Sequence, residues 1–101
     1  MRTLDDGPVR LTDQEIVAIR TIIKTADPAA RIILFGSRAD GTSKGGDIDL
    51  LILSSILRGR NKREIRMNLC SLLGDQKIDI IIAKDTEAPF VKIALAGGVE
   101  L

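Results

Sequence analysis

Histidine, tryptophan and tyrosine are absent from this 101-residue chain, and phenylalanine occurs twice. Without histidine there is no Ser-His-Asp or Cys-His nucleophile, no imidazole general base and no histidine-ligated zinc. Two aromatic rings cannot furnish a base-stacking sheet of the RNA-recognition kind. The single cysteine excludes an intramolecular disulfide and a thiolate metal cluster, and it suits a reducing compartment. No apolar run approaches the roughly 20 residues of a membrane span. The first residues carry no apolar stretch after their charge, so a cytoplasmic protein without membrane contact is expected. Neither sign of charge dominates: 15 Lys and Arg against 14 Asp and Glu leave a net +1. Direct nucleic-acid binding is therefore not expected. Any chemistry falls to carboxylates, hydroxyls, amines and backbone groups.

The hydrophobic share of 45% is enough for one core, and a chain of this length makes one domain, residues 1–101. Residues 1–10 read as a loose arm, with Gly7 and Pro8 as a turn signal. Thr12 and Glu15 are spaced as a capping box, flanked by Leu11 and Ile16 as a hydrophobic staple. Ile16, Ile19, Ile22 and Ile23 then recur at helical spacing, and Pro28 stops that helix near Ala26. Residues 31–35, 47–53 and 77–83 read as strands. A second helix spans about 60–73, with Ile65, Leu69, Leu72 and Leu73 as its apolar stripe and Gly74 as its stop. Pro89 opens a third, with Phe90, Ile93 and Ala94 inward and Gly97-Gly98 ending it. The expected fold is α/β (α+β): a small mixed sheet of three or four strands, with helices packed on one side.

Three aspartates interrupt otherwise apolar strands: Asp47, Asp49 and Asp79. Aspartate is depleted in strands, and a buried unpaired carboxylate is costly. Asp47 and Asp49 are two residues apart, so both point to one face, roughly 6.5–7 Å apart at the backbone. If the third strand neighbours the second, Asp79 completes a triad of hard oxygen donors. Such a donor set suits Mg²⁺, which is held by few carboxylates together with substrate phosphates and water. Directly after the first strand stand Gly36, Ser37 and Arg38. A glycine there lets backbone approach a ligand, and the serine adds a hydroxyl donor.

Gly36-Ser37, nine intervening residues, then Asp47-Ile48-Asp49-Leu50 resembles the signature of the DNA polymerase beta-like nucleotidyltransferases. The small size is similar to that of the minimal nucleotidyltransferases (MNT type), and the resemblance spans about residues 12–98. It implies a palm-like fold, Mg²⁺ as two ions, and ATP as substrate. It further implies that Asp47, Asp49 and Asp79 are catalytic and bind the metals. Gly36 and Ser37 would contact the triphosphate. Many members of this type are antitoxins paired with a HEPN-domain toxin, and some transfer AMP to a tyrosine of that partner. Where many members carry Ala-Arg-Gly, this chain has Ala39-Asp40-Gly41, so Arg38 or Lys44 would take over the phosphate grip.

Two functions from different classes follow. The first is a metal-dependent enzyme moving NMP, from ATP, onto a hydroxyl of a HEPN-domain partner. The second is an idle binding module that neutralises such a partner by occlusion, motivated by Asp40. A nucleotidyltransferase acting on nucleic acid is disfavoured by the near-neutral charge. The run 58–66 holds five basic residues and one acid, and reads either as a solvated surface or as a face for triphosphate or an acidic partner. Arg31 and Lys77 read as ordinary strand-end charges, and Cys70 as a core or boundary thiol.

Overall fold

A computed structural model of the chain describes residues 1–40 and 46–101. The helix predicted behind the Thr12 capping box is α1, Asp13–Ala26. Its first turn is closed as the spacing predicts: the Glu15 amide donates to Thr12 Oγ1 at 3.1 Å, and the Thr12 amide donates to Glu15 Oε1 at 2.9 Å. The main strands are β2, Arg31–Phe35, β3, Ile48–Leu53, and β4, Ile78–Ala83. Helix α2, Lys62–Leu73, lies between β3 and β4, and α3, Pro89–Gly97, follows β4. Two-residue strands complete the sheet at the termini: β1, Arg2–Thr3, and β5, Val99–Glu100. The sheet order is β1-β5-β2-β3-β4. β2 and β3 are antiparallel, whereas β3 and β4 run parallel, with α2 as the crossover that parallel neighbours require.

The expected α/β class with a small mixed sheet holds, and three details differ. First, the sheet has five strands rather than three or four. Two-residue strands carry no periodicity, so sequence patterning cannot reveal them. Second, the helices are not all on one side. Ile19 and Ile23 of α1 and Ile65 and Leu69 of α2 pack on the face formed by Ile32, Leu34, Ile48, Leu50, Ile52, Ile78 and Ile80. Val91 and Ala94 of α3 pack on the opposite face, against Ile33, Leu51 and Leu53. In α3, Phe90 and Ile93 are exposed, and in α2 Leu72 is exposed too, contrary to expectation. Third, the N-terminal arm is not loose. Arg2 and Thr3 pair in parallel with Val99 and Glu100, and Arg2 Nη2 donates to the Ala39 carbonyl at 2.8 Å. The Arg10 amide donates to the Arg38 carbonyl at 2.8 Å.

Asp27 and Ser54 are the only buried polar side chains among the described residues. Ser54 Oγ donates to Asp27 Oδ2 at 2.6 Å and accepts from the Leu57 amide at 2.9 Å. Asp27 Oδ1 accepts from the Ala29 amide at 3.0 Å. One carboxylate thus joins the end of α1, the approach to β2 and the turn after β3. Within the basic run, Arg58 Nη1 donates to the Ser55 and Leu57 carbonyls, and Arg66 Nε donates to the Ile78 carbonyl at 2.9 Å. Those two cations serve the frame. No helix among the described residues is long and apolar enough to cross a membrane.

Candidate active site

The register of the sheet builds the site. Phe35 of β2 stands opposite Asp49 of β3, and Asp49 stands beside Asp79 of β4. These three residues form a row across three adjacent strands, on the face that α3 covers farther along. Side chains on neighbouring strands are about 4.5–5.5 Å apart at Cβ, so the Asp49 and Asp79 carboxylates are immediate neighbours. Asp47 lies just ahead of β3, and its Oδ2 is 3.5 Å from Lys77 Nζ. Both groups are well exposed, so this ion pair contributes little to stability. Lys77, which by sequence reads as an ordinary strand-end charge, stands at the site beside Asp47. Only the register of the sheet discloses this: Ile48 pairs with Ile78, which brings the residues before them together.

Gly36 begins the short 3₁₀ segment Gly36–Ala39 directly after β2. Its φ of +74° lies in the left-handed region, and a Cβ built there would run into Asp49 Oδ2. Glycine is therefore required twice over, by backbone conformation and by close approach. Gly36→Ala is expected to cost about 1–2 kcal/mol through the backbone alone. It should also push the Asp49 carboxylate aside, and urea melts of the two proteins measure the loss. On the other side of Ser37, a Cβ at Gly46 (φ +94°) would meet Ser37 Oγ. The two glycines thus let the Gly-Ser turn lie directly against the segment that carries the acids.

The pKa of Asp49 is raised, first by burial and then by the negative charges of Asp79 and Asp47 and a hydrogen bond shared with Asp79. The phenyl rings of Phe35 and Phe90, edge to face at 6.1 Å, form an apolar boundary next to this row. The three acids are a hard-oxygen donor set that repels itself without a cation. That chemistry, and the glycine cradle against Asp49, fit a divalent ion. No group of three or more acids or cysteines among the described residues is arranged to hold an ion by itself, so a free cation would rest on the Asp49–Asp79 pair with water completing its shell. Mg²⁺ needs only one or two carboxylates when substrate phosphates complete its shell.

The residues nominated from sequence therefore separate. Gly36, Ser37, Asp47, Asp49 and Asp79 come together at one mouth of the sheet. Arg38 does not aim there: its guanidinium donates to the carbonyls of Gly46 and Arg10 and to Gln76 Oε1. Lys44 lies outside the described residues. Comparison with curated proteins gives no match. The family model described as polymerase beta, nucleotidyltransferase, matches residues 18–101, a stretch that contains the Gly-Ser turn and all three acids. On that match and this arrangement of carboxylates, the chain belongs to the polymerase beta nucleotidyltransferase family.

Proposed function

We propose that this chain transfers AMP from ATP to a hydroxyl of a partner protein, in the reading a tyrosine of a HEPN-domain toxin for which it is the antitoxin. The observation that supports it most is the row of Asp49 beside Asp79, with Gly36 pressed against Asp49. That sets a glycine-led turn, with its backbone amides and the Ser37 hydroxyl, next to paired carboxylates, as a triphosphate and its cations require.

In this reading Asp47, Asp49 and Asp79 hold Mg²⁺, as two ions. When bound, they would supply Lewis-acid polarisation at the α-phosphorus and neutralise charge on the departing pyrophosphate. The backbone amides of the turn beginning at Gly36 and the Ser37 hydroxyl donate to triphosphate oxygens. Asp79, exposed at the mouth of the site, accepts the proton of the attacking hydroxyl. The acceptor oxygen bonds to the α-phosphorus as the bond to the bridging oxygen breaks, and pyrophosphate leaves. The absence of histidine is no obstacle, since positioning and electrostatics carry most of such a transfer.

The occlusion reading is favoured by one observation: the nominated phosphate cation Arg38 is engaged elsewhere. The two readings part on the triple replacement Asp47→Asn, Asp49→Asn, Asp79→Asn. With α-labelled ATP and a HEPN-domain partner, the wild type is expected to label the partner. The triple variant should still form the complex, yet neither label nor neutralise. Retained neutralisation by the triple variant would establish occlusion instead.

A further inference from the structure

We propose that Arg38 is a positioning residue that sets the spacing of the acids, and hence divalent-cation affinity, rather than a ligand of phosphate. Its guanidinium binds three separate segments. Nη1 donates to the Arg10 carbonyl at 2.8 Å, on the approach to α1. Nε donates to the Gly46 carbonyl at 3.1 Å, on the residue immediately before Asp47. Nη2 donates to Gln76 Oε1 at 3.3 Å, on the residue immediately before Lys77. The two limbs toward Gly46 and Gln76 grip the chain just ahead of β3 and just ahead of β4. Those are the strands whose first residues carry or adjoin Asp47, Asp49 and Asp79.

The far side of the clamp is anchored as well. Gln76 Nε2 donates to Glu15 Oε2 at 2.9 Å and to the Leu73 carbonyl at 3.0 Å. Glu15 is itself fixed by the capping box at the start of α1. Arg38 is therefore the point where the N-terminus of α1, the end of α2 and both acid-bearing segments meet. A planar fork with several fixed donors can bridge three acceptors at once, which a lysine ammonium cannot do with the same geometry. Groups that orient metal ligands from behind commonly alter metal affinity by about 10–100-fold when removed.

This inference rests on the reading of the acids as a cation site, and the experiment separates the two. Mn²⁺ is titrated into the full chain without nucleotide, and free Mn²⁺ is followed by electron paramagnetic resonance. Arg38→Gln is expected to bind Mn²⁺ about 10–100-fold more weakly than the wild type, and Arg38→Lys is expected not to restore it. Equal Mn²⁺ affinity in wild type and Arg38→Gln would overturn the inference, because a phosphate ligand, or a purely structural residue, leaves nucleotide-free cation binding of the folded protein unchanged. Wild-type protein that binds no Mn²⁺ would overturn the cation-site reading, and the inference with it. Should Arg38→Gln fail to fold by circular dichroism, Gln76→Ala removes the limb toward Asp79 together with the bonds of Gln76 to Glu15 and Leu73, leaves the limbs toward Gly46 and Arg10 in place, and is judged by the same comparison.

Discussion

Asp49→Asn is expected to lower nucleotidyl transfer by about a thousandfold or more and yet to raise the melting temperature of the metal-free protein at pH 7. The two effects share one cause. Asp49 is partly buried beside Asp79 and near Asp47, and its pKa is raised. A carboxyl with a raised folded-state pKa stabilises the fold below the ordinary carboxylate range. That contribution is lost as pH rises through the raised value. At neutral pH without cation, the ionised Asp49 is therefore a liability that asparagine removes. Screening at a half-open site limits the gain to about 1 kcal/mol, or a few degrees in a domain of this size. The gain should vanish well below the ordinary carboxylate value of 3.8, where Asp49 is protonated in the folded and the unfolded chain alike. Adding Mg²⁺ should stabilise the wild type and leave the variant unmoved. Paired melts across pH, with and without Mg²⁺, check each part. A large destabilisation by asparagine would instead mark Asp49 as a structural hydrogen-bonding residue.

Asp27→Ala should be the most damaging single polar change outside the site, costing about 2–3 kcal/mol. The carboxylate is 5% exposed, and it holds Ser54 Oγ at 2.6 Å and the Ala29 amide at 3.0 Å. Its removal leaves the Ser54 hydroxyl without its acceptor in a buried position. It also releases the turn after β3, because Ser54 Oγ is what the Ile56 and Leu57 amides donate to. Ser54→Ala should cost less than Asp27→Ala, and the double variant should cost less than the sum of the two, since the residues act as one unit. Chemical denaturation of the three variants measures this coupling directly.

These predictions differ in how readily the sequence discloses their basis. Asp49 stands out because a carboxylate inside Ile48 to Leu53 conflicts with its apolar neighbours. Likewise the Thr12–Glu15 capping box is a local pattern, and local patterns survive into the fold intact. The pairing of Asp27 with Ser54 spans 27 residues and leaves no periodic trace. The inward face of α3 was illegible for another reason. Phe90, Val91, Ile93, Ala94 and Leu95 are apolar nearly all round, so periodicity cannot choose between stripes, and the sheet chooses Val91 and Ala94. Leu72 lies at the edge of its stripe and ends up in solvent. A short motif, finally, names the residue types near a turn and not the direction of a long side chain. That is why the motif points Arg38 at phosphate while the structure has it clasping Gly46, Arg10 and Gln76.

The measurement closest to the central claim asks which phosphorus moves. The chain, Mg²⁺ and the HEPN-domain partner are incubated with ATP labelled at either the α or the γ position, and the partner is isolated. Label from the α position on the partner, with none from the γ position and with pyrophosphate released, is the result this account predicts. Label from the γ position without label from the α position would contradict it, since the site would then be transferring a terminal phosphoryl group and not a nucleotide.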